Sequence, residues 1–149
     1  MDIEEYRNEI TPEMMELLLD ADPNKEAVLR YFDISTKFIA KEGNTIVGVI
    51  VLLVTPLDAE IKNISVVEKY RCKGIGSKLI AEAIKYSKSR KLGNIVIGTC
   101  NSSLDQLRLY QSSGFRICDV VVGYFDSYPG PIFENGIQCR DQVLLRYEL

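Results

Sequence analysis

A short segment, Arg71-Cys72-Lys73-Gly74-Ile75-Gly76-Ser77, combines two basic residues with two closely spaced glycines. It follows an apolar stretch, Ile61 to Val67, and opens a pattern of apolar residues at helical spacing. A strand, a glycine-rich turn and a helix let backbone N–H groups converge on a phosphate, and the helix dipole reinforces them. Gly74 and Gly76 have no Cβ, so an anion can approach the backbone closely. The segment therefore predicts a binding site for a phosphorylated cofactor.

Two better-known phosphate loops do not fit this segment. A Walker A loop ends in Gly-Lys followed by Ser or Thr, and the chain contains no such sequence. A dinucleotide fingerprint has Gly or Ala three residues after its second glycine, where this chain has Leu79. An ordinary turn between a strand and a helix is the alternative that the segment alone leaves open.

The spacing Arg-x-x-Gly-x-Gly after a strand resembles the coenzyme A pyrophosphate loop of the GNAT superfamily of N-acetyltransferases. Arg71, Gly74 and Gly76 meet its fixed positions. The resemblance implies acetyl-coenzyme A as the acetyl donor, with the pyrophosphate held by the whole segment. The expected pyrophosphate contacts are Arg71, Cys72, Lys73, Gly74, Ile75, Gly76 and Ser77.

In that family the preceding strand bends, and its freed backbone groups bind the pantetheine arm and the acetyl carbonyl. The resemblance places these contacts at Ile64, Ser65 and Val66, with an N–H near Val66 polarising the carbonyl. The sequence supports a strand at this position but does not itself reveal the bend.

Two residues further along the chain match a second GNAT segment. Asn101 follows a short apolar strand, and Tyr110 ends the next helix just before Gly114-Phe115. The resemblance implies that Asn101 contacts the pantetheine and that Tyr110 protonates the departing thiolate. A phenol suits this task because it is neutral at pH 7 and can donate a proton. Aromatic packing for Tyr110 and a helix-capping role for Asn101 remain open, since Ser102 and Asp105 resemble a capping box.

Glu60 stands fourteen residues before Gly74, at the start of the strand that leads to the loop. Some GNAT enzymes place their general base there. An amine with an ordinary pKa near 10.4 must lose a proton before it can attack, so a nearby carboxylate would suit. A solvated glutamate at a strand end, with ordered water as the base, is the alternative.

Hydrophobic periodicity and turn residues predict an alternation of strands and helices. Thr11-Pro12 predicts the start of a helix that runs to about Leu19, and Asp22-Pro23 predicts the start of a second helix that runs to about Asp33. The expected strands are Phe38 to Lys41, Thr45 to Thr55, Glu60 to Val66, Ile95 to Thr99, Cys118 to Phe125 and Cys139 to Glu148. One later helix is expected to begin in the glycine-rich segment and to run to about Arg90, and another is expected from Ser103 to Ser112. This order predicts an α/β fold, a mixed central sheet flanked by helices, as in the GNAT acyl-CoA N-acyltransferase fold.

Composition limits the class of protein. The 149 residues fit a single domain, 1–149, and a net charge of −3 argues against nucleic acid as a partner. No apolar run is long enough to cross a membrane and the acidic N-terminus is not a signal peptide, so a cytoplasmic protein is expected. The chain has no histidine, and its four cysteines form no Cys-x-x-Cys pair, so no metal site is expected and bystander thiols are favoured.

The resulting hypothesis is an acetyl-coenzyme A-dependent N-acetyltransferase acting by direct attack of an amine in a ternary complex. The acceptor is a small-molecule amine or an amine of a peptide or protein. The long, aromatic and acidic loop Asp126 to Gln138 is a candidate cover for its site. A homodimer and a non-catalytic coenzyme A-binding sensor are left open, whereas a nucleotide-binding module is disfavoured by Leu79.

Overall fold

The computed structural model describes all residues, 1–149, as a mixed sheet of seven strands with helices on both faces and a separate two-stranded hairpin. The strands β1 to β9 are Asp2–Tyr6, Thr36–Glu42, Thr45–Val54, Ala59–Val66, Asn94–Cys100, Arg116–Val121, Phe133–Glu134, Ile137–Gln138 and Gln142–Glu148. The helices α1 to α4 are Pro12–Ala21, Lys25–Ile34, Ile75–Ser89 and Leu104–Ser112. A short 3-10 turn, Glu68–Tyr70, follows β4. The predicted mixed α/β architecture is confirmed.

The large sheet has the strand order β1-β2-β3-β4-β5-β9-β6, and its shortest strand pairing is the central one, between β4 and β5. Strands β4 and β5 are the only parallel neighbours, and they pair at two positions, Ala59 with Ile95 and Glu60 with Val96. Both pairs lie at the amino ends of the strands. Beyond them the strands separate, so the sheet opens into a gap toward its carboxyl edge.

Each face of the sheet has its own apolar core. Helices α1 and α2 cover one face, where Leu18 and Phe32 pack on Val49 and Val51. Helices α3 and α4 cover the other face, where α3 packs on β1 to β4 and α4 packs on β6. The residues that α3 contributes are Ile75, Leu79, Ile80 and Ala83. None of the helices is long and apolar enough to cross a membrane.

The two helix starts show how local signals act. Thr11 caps α1 as expected, since its hydroxyl accepts from the N–H of Met14 at 3.2 Å and Pro12 follows it. The expected start at Asp22-Pro23 is wrong by two residues, because Asn24 caps α2 and accepts from the N–H of Ala27 at 3.1 Å. Asp22 instead accepts from the N–H of Asn24 and from the hydroxyl of Tyr31.

The C-terminal part differs most from the sequence-based expectation. Strand β6 ends at Val121 rather than Phe125, and the expected loop contains the hairpin β7–β8. Its turn, Asn135-Gly136, has both residues at positive φ, which Asn and Gly adopt most readily. Cys100 and Cys139 are buried and form a disulfide, so the expectation of buried or bystander free thiols was wrong for this pair. Their separation of 39 residues gave no local signal, because only the fold brings them together.

Candidate functional site

The loop after β4 exposes a run of backbone donors. Cys72 and Gly74 have positive φ values of 61° and 82°, and this left-handed backbone turns consecutive N–H groups toward one side. None of the N–H groups of residues 72–77 donates to an acceptor within the protein. The first helical N–H with a backbone acceptor is that of Lys78, which donates to Gly74 O at 3.1 Å. This arrangement can bind an anion at the N-terminus of α3.

The loop forms one wall of a cleft of about 520 Å³. The carboxyl end of β4, the start of α3, the end of α1 and one side of α4 form the rest of the lining. Nine of the thirteen residues predicted for the site line this cleft: Ile64, Ser65, Val66, Arg71, Cys72, Gly74, Ile75, Gly76 and Ser77. Arg71 is folded back onto the strand, since its Nε donates to Val66 O at 3.0 Å. The two groups of predicted cofactor contacts, on β4 and in the loop, therefore lie together.

The edge of β4 that faces β5 is left unpaired along the cleft. Its pairing with β5 stops at Glu60, while its other edge remains paired with β3 as far as Val66. The register with β3 shifts between Ile61 and Asn63, which leaves Lys62 as a bulged residue. The bend expected by resemblance thus has a physical origin in the chain, because a bulge redirects the strand just before Ile64.

Sequence reasoning missed the contribution of α4. Asp105, Arg108, Leu109 and Ser112 lie three or four residues apart, share one helix face and line the cleft. A Cβ on Gly76 would lie 3.2 Å from a methyl group of Leu109, so the loop and α4 approach closely at this glycine. The spacing of these residues in the sequence indicates that they share a helix face, but only the fold shows which element this face of α4 opposes.

Tyr110 does not itself line the cleft, although Gln106, one helical turn before it on α4, does. Its side chain is buried in the core with Phe115, at a ring-centroid distance of 6.1 Å. Burial raises the pKa of Tyr110 above its ordinary value near 10. The phenol is therefore protonated over the whole neutral range, and it makes no hydrogen bond within the protein.

Glu60 occupies the last paired position between β4 and β5, where the gap begins. Its side chain is 44% exposed and forms an ion pair with Lys62 at 3.4 Å. Its neighbours Ala59 and Ile61 belong to the core under α3 and α4. Because side chains alternate along a strand, Glu60 points to the opposite face, which α1 and α2 cover.

Two further predicted contacts do not line the cleft. Lys73 lies in the loop, but its ammonium is 5.5 Å from the ring centroid of Tyr70. The side chain of Asn101 is occupied by the segment that follows β8: it donates to Gln138 O at 3.1 Å and accepts from the N–H groups of Arg140 and Asp141, each at 2.9 Å. The capping box expected at Ser102 and Asp105 is also absent, because Ser103 is the N-cap and has no capping hydrogen bond.

Comparison with known proteins gives a consistent result. Residues 3–115 match the family described as the acetyltransferase (GNAT) family. A relative named uncharacterized N-acetyltransferase YvbK, from Bacillus subtilis strain 168, is 44% identical over 147 residues. The match covers 97% of this chain and 95% of the relative.

Two solved structures are similar to this chain over nearly its full length. A Bacillus subtilis acetyltransferase in complex with CoA has 44% identity and a TM-score of 0.94, covering 99% of this chain and 97% of that chain. A GNAT family acetyltransferase from Elizabethkingia anophelis with acetyl-CoA bound has 43% identity and a TM-score of 0.90, with the same coverage of both chains.

Proposed function

This chain belongs to the GNAT family of acetyltransferases, and from that premise we propose that residues 1–149 form one catalytic domain that transfers an acetyl group from acetyl-coenzyme A to a primary amine. The transfer is a direct attack within a ternary complex. The amine nitrogen forms a bond to the thioester carbonyl carbon, the carbon–sulfur bond breaks, and the amine loses one proton while the departing sulfur gains one.

The observation that carries the proposal is the run of N–H groups at residues 72–77 without acceptors in the protein. A pyrophosphate offers the charged oxygen acceptors that these donors lack. Arg71 and Arg108 line the same cleft and can pair with phosphate oxygens, although Asp20 and Asp105 also line it, so the backbone donors carry the argument. Cys72, Lys73, Ile75 and Ser77 contribute through their backbone in this proposal, so their side-chain types matter less than the glycines between them.

The unpaired edge of β4 suits the pantetheine arm and the acetyl group. Backbone groups of Ile64, Ser65 and Val66 have no partner strand on the side of the gap, and an amide-containing arm can hydrogen-bond with such an edge as a strand would. An N–H near Val66 would polarise the acetyl carbonyl and stabilise the negative charge that develops on its oxygen.

Tyr110 is the proposed acid for the departing thiolate. Burial raises its pKa, which keeps the phenol in the protonated form that can donate. The same shift makes it a weak acid, so it gives up its proton only as negative charge develops on the sulfur. Its proton is then replaced from solvent after the product leaves.

Glu60 is the proposed base, acting directly or through a water molecule. Its place at the start of the gap, on the face covered by α1 and α2, supports an acceptor that approaches from that face while the cofactor occupies the cleft. Lys62 forms an ion pair with it and lies 5.8 Å from the ring centroid of Tyr31. These groups would be the first polar side chains that an acceptor meets.

The proposal is tested by the release of free thiol from acetyl-coenzyme A in the presence of primary amines. The panel should include polyamines, aromatic amines, amino sugars and peptides with a free N-terminus or lysine. At least one class should raise thiol release above the rate without amine, and its tertiary-amine counterpart should not. Tight binding of coenzyme A with no release for any class would contradict the proposal.

A further inference from the structure

Three potential metal ligands converge away from the cleft, at the junction of β5 with the hairpin β7–β8. The sulfur atoms of Cys100 and Cys139 and a carboxylate oxygen of Glu134 all lie within 4.8 Å of one another. Both cysteines are buried, and none of the three residues lines the cleft beside α3. The disulfide brings the two sulfurs together, but neither the sequence spacing nor the proposed acetyl transfer accounts for the carboxylate beside them.

The hairpin holds two of the ligands in fixed positions. Glu134 lies on β7, and Cys139 directly follows β8, where its N–H donates to Ile132 O at 2.7 Å. The hairpin is joined to the start of α4 by Asn135, whose side chain donates to Ser102 O at 2.9 Å. The three hydrogen bonds of Asn101 fix the chain on the other side of Cys139. Cys100 ends β5 and completes the cluster.

Glu134 is also oriented by its neighbours. Its Oε1 accepts from the hydroxyl of Ser103 at 3.0 Å, and the hydroxyl of Ser102 lies 3.5 Å away. Carboxylates that ligate a metal are typically held in place by hydrogen bonds of this kind. The second carboxylate oxygen has no hydrogen-bond partner in the protein.

We propose that, when the disulfide is reduced, Cys100, Cys139 and Glu134 bind a thiophilic divalent cation of the zinc class. Two thiolates and a carboxylate are ligands that Zn²⁺ accepts, and water can take the fourth tetrahedral position. Tetrahedral coordination at Zn–S distances near 2.3 Å separates two sulfurs by about 3.8 Å. The Cα atoms of the two cysteines are 5.7 Å apart, so rotation of the side chains achieves this without moving the backbone. The disulfide and the metal site are thus alternative states of the same two sulfurs.

The test uses the full-length chain reduced without oxygen by a water-soluble phosphine. In that step the sulfur–sulfur bond breaks, water supplies a proton to each sulfur and oxygen to the phosphine, and the phosphine is oxidised to its oxide. After removal of the reductant, Co²⁺ is added as a spectroscopic substitute for Zn²⁺. One equivalent per chain should bind and give thiolate-to-cobalt absorption in the near ultraviolet, and Zn²⁺ should displace it. The oxidised chain should bind none.

Variants assign the ligands. Cys139→Ser and, separately, Cys100→Ser should abolish stoichiometric binding, and Glu134→Gln should weaken it by about tenfold or more. Cys72→Ser and Cys118→Ser are matched controls, since both thiols are free and exposed, and they should bind Co²⁺ as the wild type does. Coenzyme A affinity, measured by calorimetry on the same samples, should be independent of Co²⁺, which separates this proposal from the acetyl-transfer proposal.

Three results would overturn the inference. One is a reduced chain without stoichiometric uptake, which would make the pair a disulfide only. Another is uptake that persists in Cys139→Ser. The third is an affinity that does not change in Glu134→Gln.

Discussion

Tyr110 and Glu60 are the two side chains proposed to transfer protons, and they differ in their exposure to solvent. Tyr110 is 3% exposed and has an apolar environment, whereas the side chain of Glu60 is 44% exposed and ion-paired. Burial holds the phenol in one protonation state, while solvent can exchange protons with the carboxylate. Their contributions should therefore separate when rates are measured as a function of pH.

Replacing Tyr110 by Phe should reduce turnover while leaving coenzyme A affinity nearly unchanged. The ring and its packing remain, but proton delivery to the thiolate is lost, and general acid catalysis is typically worth about 10²–10⁴-fold. The loss should be greatest at high pH, where solvent is a poor acid. Tyr147→Phe is a suitable control, because Tyr147 packs against Phe115 from β9 and has no proposed role. Full turnover of Tyr110→Phe at every pH would leave Tyr110 as a packing residue.

Replacing Glu60 by Gln should lower turnover most at low pH, where little free amine exists and its deprotonation limits the rate. Coenzyme A affinity should stay the same, since Glu60 lies outside the cleft. Glu148→Gln, which removes another ion-paired glutamate on a strand, controls for the change in charge. If the pH–rate profile of Glu60→Gln matches that of the wild type, ordered water is the base.

Among the elements, the loop after β4 has a proposed role that depends on its backbone conformation. Gly74 is the N-cap of α3 and has a φ of 82°, with no atom within 4 Å of a Cβ placed on it. A Cβ at this position would therefore meet no protein atom beyond its chain neighbours, and we expect a branched side chain here to hinder the approach of an anion to the loop. A substitution of Gly74 would combine two effects, strain in the left-handed backbone and loss of the proposed anion site. The same substitution at a second glycine with positive φ, away from the cleft, measures the strain alone.

That second glycine is Gly43, in the turn between β2 and β3, which has a φ of 61° and equally open surroundings. Gly74→Val and Gly43→Val should each lower the free energy of unfolding by about 1–2 kcal/mol, because both force a branched residue into the left-handed region. Only Gly74→Val should also weaken coenzyme A binding in calorimetry. Equal affinity in both variants would mean that the phosphates bind elsewhere.

The segment after β8 depends on Asn101. Asn101→Ala should leave the N–H groups of Arg140 and Asp141 without their acceptor and lower the free energy of unfolding by about 1–3 kcal/mol. Amide exchange of residues 138–141 should become faster. Coenzyme A affinity should not change, and a large loss of affinity would instead support the pantetheine contact expected by resemblance. Gln111→Ala, on the exposed surface of α4 and outside the cleft, serves as a helix-surface control.

These elements show what could be predicted from the sequence. The glycine-rich turn at Gly74 and the helix that follows it were predictable because they depend on neighbouring residues, and so were most of the helix and strand positions. The unpaired edge of β4 was not, since it depends on how β5 is placed and on the bulge at Lys62. The hydrogen bonds of Asn101 and the Cys100–Cys139 disulfide could not be predicted for the same reason, because the partners lie 37 to 40 residues away.

At the scale of the whole molecule, two buried phenols link stability to pH. Burial is the main cause that raises the pKa of both Tyr31 and Tyr110. Below about pH 10 the folded and unfolded states both keep these protons. Above it the unfolded chain releases them first, so stability falls as pH rises toward the raised values, by about 1.4 kcal/mol per pH unit for each phenol.

Tyr31→Phe should therefore make the alkaline loss of stability less steep, as measured by urea unfolding between pH 9 and pH 11. The variant also loses the hydrogen bonds of Tyr31 with Asp22 and Asn63, so its stability at pH 7 should be lower by about 1 kcal/mol. The slope with pH, not the value at pH 7, is the decisive readout. Tyr128→Phe removes an exposed phenol and should leave the slope as in the wild type.

The narrow join between β4 and β5 has a mechanical consequence. Two residue pairs connect the halves of the sheet, and beyond them only side chains of the core under α3 and α4 span the opening. Widening this opening breaks no backbone hydrogen bond, so it is the most compliant direction of an otherwise stiff sheet. With the acetyl group at the proposed position on β4, a bulkier acyl chain would therefore be accommodated at the expense of side-chain packing, and we expect the packing of this core to limit acyl size.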